Sequence, residues 1–295
     1  MTVTLLVDSQ NTLGESPCWD SVNKQLYWVD IMEKKILTWK QESKTVNEYA
    51  LDQYAGCLSL TESGKLIMGL QHGIHYFDWP EGQLEKIVDP ESHLEDNRFN
   101  DGKCDPAGRF WAGTTDTVGA GGKGALYVLD QTLQITRKIE NVGTSNGLAW
   151  SPDARFMYFI DTPTRQVVRY DYNVHTGDIE NPEIAVTFPE HAGLPDGMTI
   201  DQEGMLWIAH WGGKGVSRWD PDTGKQMEFI AVPAVNVTSC TFGGESGSTL
   251  FITSARTGMT AEQLKTYPHA GGVFTLETNT KGTDQNVFND RHWRA

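Results

Sequence analysis

The stretch Asp196-Gly-Met-Thr-Ile-Asp201 has five diverged copies elsewhere in the chain, and their spacing decides the fold. Each copy opens with a polar or small residue and carries an apolar residue four positions later. The openings fall at residues 15, 56, 100, 146, 196 and 238, so the intervals run from 41 (15 to 56) to 50 (146 to 196). The other copies are Glu15-Ser-Pro-Cys-Trp-Asp20, Gly56-Cys-Leu-Ser-Leu-Thr61, Asn100-Asp-Gly-Lys-Cys-Asp105, Asn146-Gly-Leu-Ala-Trp-Ser151 and Thr238-Ser-Cys-Thr-Phe-Gly243.

Each opening is followed by turn residues and further short apolar runs. After Asp196 these runs are Leu206-Trp-Ile208, residues 216–219 and residues 227–231. Four short strands in a repeat of this length are typical of a propeller blade. The sequence therefore predicts an all-β, six-bladed β-propeller with four antiparallel strands per blade. Two β-sandwiches, the alternative architecture, leave the regular period unexplained.

The sixth repeat lacks a clear fourth strand, while an unassigned apolar run, residues 3–7, begins the chain. We expect this N-terminal strand to pair into the last blade and close the ring, because closure protects the sheet edges. A single propeller domain is then expected to span residues 1–295.

Composition narrows the classes of partner. The 295 residues include 39 acidic and 24 basic side chains, a net charge of -15, which disfavours binding to nucleic acid. The sequence has no run of 18 or more apolar residues, the length needed to span a bilayer. The N-terminus lacks the pattern of a signal peptide. Cys18, Cys57, Cys104 and Cys240 are widely separated, as expected for reduced thiols. We expect a cytoplasmic monomer or weak homo-oligomer with no membrane or nucleic-acid partner.

The repeat openings are the candidate functional positions. If each opening begins an innermost strand, then Glu15, Asn100, Asn146 and Asp196 meet at one mouth of the central channel. Carboxylate and amide oxygens suit hard divalent cations such as Ca²⁺, Mg²⁺ or Mn²⁺. The alternative is plain turn formation, since Asn-Asp-Gly, Asn-Gly and Asp-Gly are also common in turns.

Six motifs, in this order, resemble the senescence-marker-protein/regucalcin/gluconolactonase family. They are Leu13-Gly-Glu-Ser-Pro17, Asn97-Arg-Phe-Asn-Asp-Gly-Lys103, Ser145-Asn-Gly-Leu148, Pro195-Asp-Gly-Met198, Cys240-Thr-Phe-Gly-Gly244 and Ala270-Gly-Gly-Val-Phe274. The resemblance extends from about residue 5 to residue 276. It implies a six-bladed propeller that hydrolyses a sugar-acid lactone with one divalent cation, which is Ca²⁺, Zn²⁺, Mn²⁺, Mg²⁺ or Fe²⁺.

The resemblance also implies roles for individual residues. The family's metal ligands match Glu15, Asn146 and Asp196, and its substrate-contacting arginine and asparagine match Arg98 and Asn100. Animal members also carry a glutamate that contacts sugar hydroxyls. This chain has Thr115-Asp-Thr-Val118 in that stretch, so Asp116 is the candidate substitute, and the identity of the lactone does not carry over from the animal members.

For the mechanism, we expect the cation to polarise the lactone carbonyl while Asp196 takes the proton of the attacking water. Asp101 or a hydroxide on the cation is the alternative base. His210 follows an apolar strand, a position that fits either a site residue or a packed one. Two other functions stay open: a related propeller hydrolase acting on organophosphates or aryl esters, and a non-enzymatic calcium-binding or interaction propeller.

Overall fold

Six four-stranded antiparallel sheets surround a central channel in the computed structural model of the chain, which describes residues 2–119 and 121–291. Five sheets are built from consecutive strands, and the sixth takes in the first strand of the chain. The predicted six-bladed propeller with four antiparallel strands per blade is confirmed.

The strands are short, and in the five blades built from consecutive strands the first strand lies at the channel. In chain order they are β1 (Thr4–Val7), β2 (Gly14–Asp20), β3 (Gln25–Asp30), β4 (Lys35–Lys40), β5 (Val46–Ala50), β6 (Ala55–Leu60), β7 (Leu66–Leu70), β8 (Gly73–Asp78), β9 (Gln83–Val88), β10 (Asn97–Cys104), β11 (Phe110–Asp116), β12 (Gly124–Leu129), β13 (Ile135–Val142), β14 (Ser145–Trp150), β15 (Phe156–Asp161), β16 (Gln166–Asn173), β17 (Asp178–Thr187), β18 (Leu194–Ile200), β19 (Leu206–Trp211), β20 (Gly215–Asp220), β21 (Lys225–Ala231), β22 (Asn236–Gly243), β23 (Thr249–Ala255) and β24 (Val273–Glu277).

The inner strands are the six repeats of the sequence. They are β2, β6, β10, β14, β18 and β22; each contacts the next in turn, and β22 contacts β2 to complete the circle. Because all six begin at the same end of the channel, the first residues of the repeats meet at one mouth, which we call the near mouth.

The N-terminal strand closes the ring, as predicted. β1 pairs antiparallel with β24, with Thr4 opposite Thr275 and Leu5 opposite Phe274. The two threonine hydroxyls are 3.0 Å apart. Leu6 and Val7 also pack against a buried cluster that includes Trp19 and Phe251. The last blade is therefore made from both ends of the described chain.

Deletion of residues 1–8 should leave the edge of β24 unpaired and uncover part of this cluster. We expect the melting temperature to fall by about 5 °C or more, because about 1 kcal/mol shifts the Tm of a chain of this size by roughly 2–4 °C. Calorimetry of the deletion variant and of a Leu5→Ser control, which keeps the strand, measures the effect. An unchanged Tm in the deletion variant would contradict ring closure by β1.

The opposite end of the channel, the far mouth, is crossed by the C-terminal segment, residues 278–291. Its backbone bonds to the ends of inner strands from several blades: Phe288 N donates to Leu60 O at 2.8 Å, and Gln202 N donates to Lys281 O at 2.8 Å. The Gln285 amide donates to Thr241 Oγ1 at 2.6 Å, and the Phe288 ring is fully buried. The segment therefore covers the far mouth.

Helical structure is minor. One α-helix is described, α1 (Ala261–Thr266), and Thr260 and Gln263 cap its N-terminus reciprocally. Two single 3₁₀ turns are described: Thr162–Thr164 follows β15, and Glu190–Ala192 precedes β18. Within residues 2–119 and 121–291, no helix has both the length and the apolar character needed to cross a membrane.

Candidate active site

Every inner strand is interrupted by a bulge near its start. The register with the second strand of the blade shifts between Glu15 and Cys18, between Phe99 and Asp101, between Ser145 and Leu148, and between Pro195 and Met198. A bulge bends the strand and re-aims the neighbouring side chains. This irregularity is the local device that brings the side chains of different blades together at the near mouth.

Glycine allows the inner strands to approach closely beside these side chains. A Cβ at Gly197 would lie 2.1 Å from Ser239 Oγ on the next inner strand, and one at Gly147 would lie 2.9 Å from the carbonyl oxygen of Asp196. Neither position has room for a larger residue. The Asn-Gly and Asp-Gly pairs of the sequence thus serve close packing of strands, with Asn146 and Asp196 held at the channel beside them.

Three carboxylates form the centre of the site. Glu15, Asp101 and Asp196 are 6%, 7% and 6% exposed. Burial, followed by the charges of Asp196 and Asp101, raises the pKa of Glu15 well above its ordinary range. Burial and the charge of Asp101 likewise raise the pKa of Asp196, and burial raises that of Asp101. The three groups thus repel one another in a poorly solvated space, which is costly for a protein without a compensating cation.

A hydrogen-bond chain links the polar residues of three blades. Arg98 donates to Asn100 Oδ1 at 2.7 Å, and Asn100 Nδ2 donates to Ser145 O at 2.9 Å and to Asn146 Oδ1 at 3.2 Å. Asn146 Nδ2 donates to Thr162 Oγ1 at 2.7 Å, and Thr162 donates to Pro195 O at 2.8 Å. This chain of hydrogen bonds fixes the orientation of the side-chain amides of Asn100 and Asn146.

Arg98 lies beside the carboxylates. Burial lowers its pKa to about 10, while the charge of Glu15 acts in the opposite direction. Its guanidinium also donates to Phe99 O at 2.9 Å. A half-buried arginine next to amides at the near mouth offers donors that match hydroxyl and carboxylate oxygens of a ligand.

Asp116 occupies a different place. It pairs with Asn97 across the β10–β11 ladder, whereas Arg98 pairs with Thr115, so the backbone puts Asp116 and Arg98 on opposite faces of the sheet. Asp116 accepts from Val118 N at 3.0 Å and lies 3.5 Å from the Lys123 ammonium. Its role as the substitute for the family's glutamate stays a prediction.

His210 packs and does not enter the cluster. Its ring is 1% exposed, with Nδ1 2.8 Å from Ala192 O and Nε2 2.5 Å from Ser217 Oγ. The Phe188 ring lies 4.7 Å away, centroid to centroid. Of the two interpretations that the sequence left open for this residue, the packed one is right.

Sequence reasoning missed two residues that the structure places at the site. Thr162, on a 3₁₀ turn of the fourth blade, orients the Asn146 amide. Lys103 extends inside the channel below Asp101, and its charge lowers the pKa of that carboxyl. The sequence signal for Lys103 was present, since it follows Asp101 by two residues and so shares a face of β10.

The donor set fits a divalent cation. Glu15, Asp196 and the oriented Asn146 amide supply oxygen, which hard cations prefer. In the part of the chain that the structure describes, no three His, Cys, Asp or Glu side chains are grouped as metal ligands. The proposed set contains two carboxylates, and its third donor is an amide. The buried, mutually repelling carboxylates are nevertheless the electrostatic setting in which bound positive charge is favourable.

The fold and the site together place the protein in a broad class, the β-propellers in which polar side chains meet at one mouth of the central channel. Comparison with known proteins then defines the family: residues 13–256 match the model of the SMP-30/gluconolactonase/LRE-like region. The chain belongs to this family.

Relatives of known name match over nearly the whole chain. A Bacillus subtilis protein named "Putative sugar lactone lactonase YvrE" is 42% identical over 282 residues, which are 96% of this chain and 97% of that protein. Regucalcin of Danio rerio is 37% identical and covers 93% of each chain. The solved structure of regucalcin from Agrobacterium tumefaciens, described as a calcium-binding protein, has a TM-score of 0.93 at 28% identity and covers 97% of this chain and 96% of that one.

Proposed function

We propose that the protein hydrolyses a sugar-acid lactone, an aldono-1,4- or 1,5-lactone, to the aldonic acid with the help of one divalent cation. The observation that carries the proposal is the convergence of Glu15, Asp101 and Asp196 at the near mouth, with Asn146 and Arg98 beside them. The lactonase and gluconolactonase names within the family support lactone hydrolysis in general.

Glu15, Asn146 and Asp196 would hold the cation. When bound, it supplies Lewis-acid polarisation of the lactone carbonyl and compensates the buried negative charge. Thr162 keeps the Asn146 amide oriented by accepting its N–H. Asn100 also donates to Asn146 Oδ1, which couples the substrate-facing side of the site to the proposed ligands.

Hydrolysis needs a base for the attacking water and an acid for the ring oxygen. Water adds to the carbonyl carbon, the bond to the ring oxygen breaks, and that oxygen leaves as a hydroxyl after it gains a proton. The Asp196 carboxylate is our choice to accept the water's proton, because it is one of the groups that would hold the cation, and hence the lactone carbonyl, at the near mouth. Asp101, buried next to it, is the alternative base.

Arg98 and Asn100 would orient the substrate. A polyhydroxylated lactone presents hydroxyl oxygens, and the guanidinium presents several donors in a fixed plane. Asn100 holds Arg98 through its Oδ1, so the two residues would act as one unit. Asp116 is retained as a candidate for contact with sugar hydroxyls, at the end of the strand beside β10.

The experiment for the proposed function compares substrate classes on the same protein. We expect turnover of aldonolactones, and much slower turnover of aryl esters and organophosphates, because the residues at the mouth are polar and charged. Turnover confined to aryl esters or organophosphates would favour the related hydrolase. Absence of any turnover, with cation bound at the site, would favour the non-enzymatic propeller.

We also propose a cytoplasmic location for the protein. The four cysteines are unpaired and buried, which is the state that a reducing compartment maintains.

Arg98→Ala should raise KM for the lactone by about tenfold or more and should not weaken cation binding. The substitution removes donors to the substrate but none of the proposed ligands, and loss of ground-state binding appears in KM. Steady-state kinetics and calorimetric cation titration measure the two effects. Weakened cation binding with an unchanged KM would show that Arg98 supports the cation site instead of the substrate.

A further inference from the structure

Lys103 crosses the inside of the channel. It lies on β10 in the third blade, and its ammonium donates to the carbonyl oxygen of Met198 on β18 in the fifth blade at 2.7 Å. The inner strand of the fourth blade, β14, lies between these two strands around the ring. The side chain therefore spans the channel and places a positive charge within it.

This charge lies between the carboxylates and the far mouth. Lys103 shares a cavity of about 10 Å³ with Asp101, Ser16 and Ser239, and Gln285 of the C-terminal segment also lines it. It lines a second cavity, of about 30 Å³, with Gln285 and other residues next to the C-terminal segment. The surface that Lys103 exposes thus includes the walls of two small cavities, where few waters fit and a charge is poorly screened.

The negative and positive side-chain charges in the channel do not balance. Glu15, Asp101 and Asp196 carry three negative charges when ionised, and the cations that act on them are Arg98 and Lys103. Arg98 acts on Glu15 from the near mouth, and Lys103 acts on Asp101 from within the channel. Burial lowers the pKa of Lys103, and the Asp101 carboxylate opposes that effect.

We propose that Lys103 is a positioning residue that sets the cation affinity of the site: its ammonium replaces part of the missing positive charge in the cation-free protein and competes electrostatically with a divalent cation. The inference rests on the proposed function, because it assumes a cation at Glu15, Asn146 and Asp196. It predicts two effects of opposite sign. Loss of the Lys103 charge should destabilise the cation-free fold and, at the same time, tighten cation binding.

The test uses the metal-stripped full chain, with Ca²⁺ and Mn²⁺ titrated separately by calorimetry. Lys103→Met should bind either cation about tenfold more tightly than the parent protein, the scale expected for one poorly screened charge acting on a divalent ion. Its Tm without cation should be lower. Lys103→Gln keeps a donor for Met198 O without the charge, and it should tighten binding as well. Lys40→Met, at an exposed position, is the control for net charge and should change neither quantity.

A second variant separates charge from packing. In Lys103→Met combined with Asp101→Asn, one negative charge is removed together with the positive one. The cation-free Tm and the cation affinity should both return towards those of the parent. If Lys103 were purely structural, Lys103→Met would also lower Tm, but cation affinity would be unchanged or weaker, and Asp101→Asn would not restore the Tm. That pattern would overturn the proposal.

Failure of the cation site itself has a different signature. If the parent protein binds neither Ca²⁺ nor Mn²⁺ and Lys103→Met binds neither, the cation part of the proposed function is overturned, and with it the effect of Lys103 on affinity. The cation-free Tm values still test the compensation of charge. A lower Tm in Lys103→Met and recovery in the double variant would support that half, and equal Tm values would overturn it.

Discussion

Asp196→Asn should lower kcat for lactone hydrolysis by about 10²–10⁴-fold, the usual cost of losing an effective general base. The amide keeps the shape of the side chain and one ligand oxygen but has no proton affinity near neutral pH. Since the substitution also removes a ligand charge, the measurement is made at saturating cation. Steady-state kinetics then report the chemical role of Asp196 apart from its role in binding.

Asp201→Asn is the matched control. Asp201 is fully buried just after the other end of the same strand, where it accepts from Trp207 Nε1 at 2.9 Å and from Arg218 Nε at 2.8 Å. We expect this variant to lose stability and keep its kcat. Full activity in Asp196→Asn with cation supplied would remove Asp196 from the mechanism. A comparable loss in Asp101→Asn alone would assign the base to Asp101.

Glu15→Gln should affect binding and stability in opposite directions. Loss of a group that only supports a metal ligand typically lowers metal affinity by about 10–100-fold. Loss of the charge on a ligand itself should therefore weaken cation binding by about 100-fold or more. Without cation, however, the variant should melt a few degrees higher than the parent. Burial and two neighbouring carboxylates raise the pKa of Glu15, which means that its charge destabilises the cation-free fold. Calorimetric titration and thermal unfolding measure the two quantities.

The pH dependence checks the cause. A carboxyl whose pKa is raised by folding binds more protons in the folded state, so this contribution to stability increases as pH falls toward the ordinary value of 4.5. Cation affinity should fall over the same range, because protons compete for the same oxygens. In Glu15→Gln the dependence of Tm on pH should be weaker. An identical dependence in parent and variant would show that Glu15 carries no buried charge.

The fold was predictable because propeller blades repeat and each blade needs the same parts. An apolar inner strand, a turn and three further strands recur at each repeat, and the spare strand at the N-terminus matches the strand missing from the last blade. The C-terminal segment over the far mouth had no such signal. Its contacts are single backbone bonds to blades far apart in sequence, such as Phe288 to Leu60, which leave no periodic pattern.

The site was predictable in part. The repeat openings indicated Glu15, Asn100, Asn146 and Asp196, since equivalent positions on six inner strands must meet at one mouth. The bulges that aim these side chains, and the turn that brings Thr162 to Asn146, depend on packing between blades. The packing of His210 against Phe188 likewise depends on a loop from the preceding blade. Such long-range contacts are not visible in local sequence.

Cation add-back to the metal-stripped protein tests the central claim most directly. Hydrolysis of an aldonolactone is measured after chelation and then with Ca²⁺, Zn²⁺, Mn²⁺, Mg²⁺ or Fe²⁺ added singly. We predict that chelation removes nearly all activity, that at least one cation restores it, and that the same cation fails to restore Glu15→Gln at matched concentration. Full lactone hydrolysis by the chelated protein, with no response to any cation, would contradict the account.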